Sequence, residues 1–350
     1  VLRAPHQVAF DITNNCNLRC LHCFNSSGEN DVISNELSDG EVLHFMEDLT
    51  SMNLYNVCFC GGETLLRKEL MCECIKILKP SGSHCTAVTN GLLANPATIQ
   101  QLASAGLDGI QFSLDGLRDS HERLRNKVGI FPKVIDAMKY VLNETELRLS
   151  IAFTPTSFNV KDFLGVYDLL VDLYKKSNRT TGSDYIDFRL QPLMLLGRAK
   201  DNPNIVPTEA QYRWLVQNIN EVNLTGKCHP CIDVKWGDPI DHLVRFRDTN
   251  YFMDQVSVHA NGDIVVSAYL PLVVGNVRKR SLSDYWNAGL IWATNVVQYL
   301  TARMQSVSDM ENITTLISDI NMDGCLNLDL MENDLNDLNL IKGVILEEWM

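Results

Sequence analysis

Three cysteines lie close together in the segment FDITNNCNLRCLHCF, which spans residues 10–24. Cys16, Cys20 and Cys23 have the spacing C-x3-C-x2-C, directly after a short alternating apolar pattern. Most four-iron clusters are bound by four cysteine thiolates, so three in one loop indicate a cluster with one open iron. The alternative is a structural zinc ion with His22 as the fourth ligand. Zinc is less favoured because His22 and Cys23 are adjacent in the chain.

Other residues with useful chemistry follow predicted strands. Paired glycines let a backbone approach a ligand closely, and a carboxylate can accept a hydrogen bond from an ammonium group. A hydroxyl or carboxylate at a strand end can hydrogen-bond a ribose or an amino acid. A simple turn is the alternative for each motif. The candidates are Gly61, Gly62, Glu63, Asn90, Ser113, Asp115, Gln191 and, just beyond, Arg198.

Short apolar strands alternate with amphipathic helices, which is typical of β/α units around a parallel sheet. Six repeats fit before residue 200, two fewer than a closed TIM barrel has. We therefore predict an α/β fold, a partial (β/α)6 TIM barrel with a smaller α+β C-terminal extension. The candidate residues fall at carboxyl ends of strands, where such folds place their sites. The predicted strands are 7–12, 56–60, 85–89, 109–114, 147–153 and 185–190.

The segment CNLRCLHC resembles the cluster motif of radical S-adenosylmethionine (SAM) enzymes. This resemblance implies that a 4Fe-4S cluster bound by Cys16, Cys20 and Cys23 holds SAM on its open iron. An electron from the cluster then cleaves SAM, and the 5′-deoxyadenosyl radical takes a hydrogen atom from the substrate. The protein supplies positioning and electronic tuning.

The resemblance also assigns SAM-binding roles. Gly61-Gly62-Glu63 is similar to the family's motif for the SAM amino group, although Thr64 stands where the family usually has proline. Arg125, in HERLRNKVGIF, matches an arginine that binds the SAM carboxylate; a solvated charge is the alternative. Asn90, Ser113, Asp115 and Gln191 complete the predicted SAM-binding set.

The C-terminal part resembles the SPASM extension of peptide-modifying members of this family, in the segment HANGDIVVSAYLPLVVGNVRKRSLSDYWN. The cysteines that bind auxiliary clusters there are mostly absent; Cys228, Cys231 and Cys325 remain. We predict a degenerate extension that binds substrate or partner without auxiliary clusters. The predicted domains are 1–200, the partial barrel, 201–300, the extension, and 301–350, an acidic segment.

Composition narrows the function classes. The formal net charge of −13 argues against nucleic-acid or anionic-membrane binding, and no apolar run is long enough to cross a bilayer. An odd count of 11 cysteines without a secretory signal favours a reducing cytoplasm over a disulfide scaffold. Five cysteines in apolar patterns are interpreted as core residues: Cys58, Cys60, Cys72, Cys74 and Cys85.

The first functional hypothesis is a radical SAM maturase that modifies a ribosomally synthesised precursor peptide. The resemblance extends to spliceases, which excise a tyramine unit and leave a β-amino acid. It implies a precursor peptide, a separate leader-binding partner protein and a flavodoxin- or ferredoxin-type electron donor. The alternatives are a radical SAM enzyme for a small molecule or a sulfatase-type target, and a non-catalytic metal-binding regulatory protein.

Overall fold

The computed structural model describes residues 3–28, 35–179, 185–224, 231–237, 254–265, 267–270, 272–288, 305–320, 326–327 and 329. Cys228 and Cys325, two of the remaining C-terminal cysteines, lie outside these residues. Cys231 is buried at the start of a strand. Within the described part of the chain, no helix combines the length and the apolar character that a membrane span requires.

The strands described form one sheet, in the order β11-β10-β9-β8-β1-β2-β3-β4-β5-β6-β7. Strands β1 to β7 and β8 run parallel, whereas β9 is antiparallel to both of its neighbours. The strands are β1 (Gln7–Thr13), β2 (Asn56–Gly61), β3 (His84–Thr89), β4 (Gly109–Ser113), β5 (Arg148–Phe153), β6 (Ile186–Leu190), β7 (Ile232–Trp236), β8 (Gln255–Val258), β9 (Asp263–Val265), β10 (Leu272–Asn276) and β11 (Leu326–Asn327).

Helices follow the parallel strands, and local sequence sets their ends. Ser38 and Glu41 form a capping box before the first helix. The Asn95 side chain accepts from the Thr98 backbone N–H at the start of the third, and Gly106 ends that helix in the left-handed region. The helices are α1 (Asp39–Ser51), α2 (Lys68–Leu78), α3 (Pro96–Ala105), α4 (Arg118–Arg125), α5 (Ile130–Glu144), α6 (Phe163–Lys175), α7 (Glu209–Leu224), α8 (Leu282–Ala288) and α9 (Val307–Ile320).

The apolar core lies between the sheet and its surrounding helices. Phe10 of β1 packs edge-on against Phe45 of α1, with ring centroids 5.4 Å apart. Phe188 of β6 stacks on Phe163 of α6 at 5.8 Å. Successive side chains of a strand point to opposite faces of the sheet. Phe10 and Phe188 point toward the helices, so the residues next to them along β1 and β6 face the barrel interior. Those inner positions are mostly half-buried and mostly polar on β1, β2, β3 and β6.

The six predicted strands are confirmed, and the sheet extends beyond them on both sides. Strand β7 pairs with β6, and β8 pairs with β1, in parallel with Gln7 opposite Gln255. The Asn261-Gly262 turn in the extension predicts a β-hairpin over residues 256–268, and β8 and β9 form it, with Val258 opposite Ile264. Over the described residues the strand order is linear, so the barrel is open there. The division at residue 200 stays a prediction, and β7 continues the sheet past it.

The interpretation of five cysteines as core is right for three of them and wrong for two. Cys72, Cys74 and Cys85 are buried. Cys58 and Cys60 are half-buried and alternate along β2 with residues of the core, so their thiols face the barrel interior.

Candidate active site

The loop that carries Cys16, Cys20 and Cys23 begins where β1 ends. Its backbone is held from within by Arg19, whose guanidinium donates to the carbonyl oxygens of Cys16, at 2.9 Å, and Gly28. A single side chain therefore connects the first cysteine with the far end of the loop.

Arg198 holds the same loop from outside. Its Nε donates to the Cys20 carbonyl at 3.1 Å, its Nη1 donates to the Ser27 carbonyl at 3.2 Å, and its backbone N–H donates to the Cys23 carbonyl at 2.9 Å. The sequence places Arg198 near SAM or substrate, and the structure places it on the backbone between two cysteines. It therefore fixes the spacing of the thiols.

Gly61 and Gly62 pack against the start of the cysteine loop. A Cβ on Gly61 would lie 2.2 Å from the Thr13 carbonyl oxygen, and one on Gly62 would lie 2.3 Å from that of Asn15. Gly61 also has φ of +133°, which disfavours other residues. The backbone N–H of Gly62 donates to Thr13 and that of Glu63 to Asn15, at 2.8 and 2.9 Å. These glycines join two loops, and their contact with SAM stays a prediction.

Glu63 is 1% exposed, and its carboxylate connects the turns after β2 and β3. It accepts from the Thr89 hydroxyl at 2.6 Å and from the backbone N–H groups of Asn90 and Leu65, at 2.8 and 3.1 Å. Burial raises the pKa of Glu63, although these three donors favour its charged form. The observed role is to position the loops; binding of the SAM amino group stays a prediction.

Asn90 lies beside the first cysteine. Its Nδ2 donates to Asn17 Oδ1 at 2.8 Å and lies 4.0 Å from the Cys16 sulfur. The Nδ2 of Asn17 is itself buried without a partner in the described chain. A buried donor left open beside sulfur ligands offers a hydrogen bond to a bound group.

Asp115 and Arg125 form a buried ion pair next to the second cysteine. Arg125 Nε lies 2.6 Å from Asp115 Oδ2, and its Nη1 lies 3.7 Å from the Cys20 sulfur. The other carboxylate oxygen accepts from the Thr154 backbone N–H at 3.0 Å. Burial acts to raise the pKa of Asp115, but Arg125, two histidines and Thr154 together lower it.

This arrangement changes the interpretation of Arg125. Its guanidinium already has a carboxylate partner within the chain, so binding of the SAM carboxylate stays a prediction. A cation beside Cys20 favours electron density on that sulfur, because hydrogen bonds and charges around cluster ligands tune a cluster's potential.

Two buried histidines complete this cluster. His121 Nδ1 accepts from the Asp115 backbone N–H at 3.1 Å. Within the described chain, His121 Nε2 and His22 Nδ1 are buried without partners. Burial lowers the pKa of each to about 4, so both are neutral at pH 7.

The three thiols fit a cluster better than a zinc ion. In the described ranges, no three His, Cys, Asp or Glu side chains are placed to hold a single metal ion. His22 and the cysteines therefore do not form the tetrahedral set that zinc requires, whereas cysteines on a four-iron cluster bind different irons. In the metal-free protein burial raises the pKa of Cys20 to about 11, and also raises that of Cys16. These thiols therefore release protons when metal binds.

Ser113 and Gln191 lie at the same edge of the sheet. Ser113 ends β4 opposite Ala152 and is 8% exposed. Gln191 follows β6, and its backbone N–H donates to the Phe153 carbonyl at 3.0 Å. Among the described residues, neither side chain hydrogen-bonds to the cysteine loop, and their SAM-binding roles stay predictions.

The sequence analysis missed contributions from the C-terminal extension. His259 Nδ1 lies 3.0 Å from Asp11 Oδ2 on the inner face of β1. The Tyr269 ring lies 5.3 Å from that of Phe24, the residue after Cys23. The segment HANGD signals only a hairpin, and 248 residues separate His259 from its partner, so no local pattern could reveal the pair.

Comparisons with known proteins agree with this site. Residues 10–170 match the Radical SAM superfamily. The AdoMet-dependent heme synthase of Methanosarcina barkeri is 22% identical over 311 residues, which cover 81% of this chain and 82% of that protein. Mycofactocin maturase MftC of Mycolicibacterium smegmatis is 30% identical over 234 residues, which cover 64% of this chain and 55% of that protein. The chain thus spans little more than half the length of MftC.

The fold also matches solved structures. Streptococcus suis SuiB bound to S-adenosylmethionine superposes with a TM-score of 0.66 at 15% identity, over 95% of this chain and 78% of that one. SuiB has also been solved bound to its precursor peptide SuiA, with a TM-score of 0.65 at 16% identity over 85% of this chain and 67% of that one. The cysteine loop after β1 and the match over residues 10–170 identify this chain as an enzyme with a radical SAM domain, whose cofactors are an iron–sulfur cluster and S-adenosylmethionine.

Proposed function

We propose that this enzyme modifies a ribosomally synthesised precursor peptide. The cluster and SAM, when bound, supply a 5′-deoxyadenosyl radical that takes a hydrogen atom from the substrate. The observation that carries the proposal is the barrel interior, which is open between the sheet edges β7 and β11 over the described residues and lined by polar side chains.

The inner face of β6 and β7 carries a ladder of charges. Asp187 lies 3.3 Å from Arg189 Nε and 3.2 Å from Lys235 Nζ, and Lys235 lies 2.7 Å from Asp233. Arg189 and Lys235 are each nearly half exposed. A peptide presents one donor and one acceptor at nearly every residue, and buried backbone groups need partners. A half-exposed polar lining supplies those partners along an extended substrate.

The relatives support a peptide substrate. MftC is a mycofactocin maturase, and SuiB has been solved with a precursor peptide. The resemblance noted above extends the proposal to splicing, in which a tyramine unit is excised and a β-amino acid remains. It also implies a separate leader-binding protein and a flavodoxin- or ferredoxin-type electron donor as partners.

A small-molecule substrate is the second candidate, because the heme synthase aligns over more of its own length than MftC does. The charged ladder argues against it, since a tetrapyrrole ring needs mainly apolar walls.

The test incubates the oxygen-free, cluster-loaded protein with SAM, dithionite and one candidate substrate at a time. The peptide arm uses leader-bearing candidate precursor peptides, and the other arm uses an iron porphyrin. We expect a mass change in the peptide alone, and loss of the mass of tyramine indicates splicing. A mass change confined to the porphyrin contradicts the proposal. A variant with Cys16, Cys20 and Cys23 replaced by alanine is the control.

A further inference from the structure

Two thiols that the sequence places in the core lie together inside the barrel. The sulfurs of Cys58 and Cys60 are 3.5 Å apart on β2, and both thiols are free and half-buried. Cys60 directly precedes Gly61, so the pair lies just below the turn that packs on the cysteine loop. The site described above leaves these two groups without a role.

The surroundings of the pair are polar and come from three strands and the extension. Asp11 stands in register with Cys60, and Thr86 with Cys58. Asp11 in turn pairs with His259. Burial raises the pKa of the Tyr269 phenol in the extension to about 12, and a negative charge on Cys60 would raise it further.

Metal binding does not explain the pair, because no third His, Cys, Asp or Glu of the described chain joins it to hold an ion. A thiol S–H bond is weak enough to give a hydrogen atom to a carbon radical, and a second sulfur in contact can share the unpaired electron that remains. We propose, on the basis of the proposed function, that Cys60 donates a hydrogen atom to the carbon radical left on the substrate and that Cys58 stabilises the resulting sulfur radical.

The step balances. The Cys60 S–H bond breaks and a C–H bond forms on the substrate, which leaves one unpaired electron on sulfur. The Cys58 thiolate shares that electron through a sulfur–sulfur contact and carries one negative charge. One electron from a low-potential flavin or iron–sulfur carrier, together with one proton, restores the Cys60 thiol and the Cys58 thiolate.

The ionisation of the pair agrees with these two roles. The hydrogen bond from Cys60 lowers the pKa of Cys58, against the effect of burial. The same hydrogen bond, with burial, raises the pKa of Cys60 well above its usual value. Of the two thiols, Cys58 is therefore the one that ionises first, and Cys60 is the one that keeps its hydrogen.

The first test needs no cofactor. The metal-free protein is treated with iodoacetamide for increasing times, and each cysteine is followed by peptide mass spectrometry. We expect Cys58 to react before the fully buried Cys74 and Cys85, because it faces the barrel interior and forms a thiolate. Reaction of Cys58 no faster than that of Cys74 overturns the proposal.

The second test uses the cluster-loaded enzyme with SAM and dithionite in D2O, without any peptide. The radical then takes hydrogen from the nearest weak bond, and exchanged thiols carry deuterium. We expect deuterium in the 5′-deoxyadenosine from the unaltered enzyme and its loss in Cys60→Ser, while 5′-deoxyadenosine still forms. Cys72→Ser, which alters a buried thiol on α2, keeps the deuterium.

The remaining outcomes are decisive. Deuterium that persists in Cys60→Ser, or that is lost in Tyr269→Phe instead, overturns the assignment of the donor. Undeuterated 5′-deoxyadenosine from the unaltered enzyme overturns it as well, and leaves the proposed function standing. No 5′-deoxyadenosine at all refutes the proposed function and the donor together. The alkylation test uses the unaltered chain and decides the case if Cys60→Ser does not fold.

Discussion

The buried ion pair beside the second cysteine makes a sharp prediction. Asp115 is 0% exposed and Arg125 is 9% exposed, and their closest atoms are 2.6 Å apart. Asp115→Asn keeps the shape and the acceptor for the Thr154 N–H, but it leaves the guanidinium buried without a counter-charge. Removal of one partner from a buried pair costs about 3–5 kcal/mol. We expect a loss of unfolding free energy in that range.

Guanidinium denaturation of the metal-free protein measures this loss from the shift of the midpoint at constant slope. Asp136→Asn is the control, because Asp136 forms an exposed pair with Lys139, and such pairs contribute at most about 1 kcal/mol. Adding Arg125→Gln to Asp115→Asn should recover part of the loss, since the uncompensated charge is then gone. A loss below about 1 kcal/mol for Asp115→Asn alone would contradict the premise that the guanidinium depends on this carboxylate.

Three further predictions follow from the same site. Gly62→Ala should destabilise the protein by about 1–3 kcal/mol, because its Cβ would meet the Asn15 carbonyl at 2.3 Å; thermal unfolding measures it. Arg198→Lys should reduce the iron retained per chain, because lysine lacks the fork that binds two loop carbonyls; iron analysis after desalting measures it. His121 is neutral in the fold, with its pKa lowered to about 4. Its stabilising effect is complete above about pH 6.5 and disappears as the pH falls to about 4, so His121→Asn should flatten that dependence; denaturation at several pH values measures it.

Each of these changes has a matched control or a contradicting result. Gly40→Ala adds a methyl group where no atom lies within 4 Å and should leave stability nearly unchanged. Arg213→Lys alters an exposed arginine paired with Glu209 and should leave iron content unchanged. If the controls behave like the site variants, close packing of the cysteine loop does not determine the stability or the iron content of the protein. An unaltered pH slope in His121→Asn contradicts the assignment of a buried neutral imidazole.

The sequence predicted the fold where the pattern was local. Six strands and most of their helices follow from alternation, caps and turn residues such as Ser38 and Gly106, which act within a few positions. Strand β7 and the pairing of β8 with β1 could not be found in this way. Their pairing depends on contacts such as that between Gln7 and Gln255, which lie far apart in the chain.

The site shows the same limit. The sequence analysis assigned Asp115 and Arg125 separately to SAM binding. Nothing in their ten-residue separation indicated that they pair with each other. Cys58 and Cys60 were placed in the core because free cysteine commonly packs as a small buried hydrophobe. Only the alternation of burial along β2 and its register with β1 show that these thiols face the barrel interior, with Cys60 opposite Asp11.

The most direct test of the central claim measures SAM cleavage by the cysteine loop. The protein is reconstituted without oxygen with iron and sulfide, reduced, and incubated with SAM, and 5′-deoxyadenosine is quantified by mass spectrometry. We predict 5′-deoxyadenosine from the unaltered protein, and neither cluster nor product when Cys16, Cys20 and Cys23 are replaced by alanine. A protein that instead holds one zinc ion at these cysteines and forms no 5′-deoxyadenosine would contradict the account.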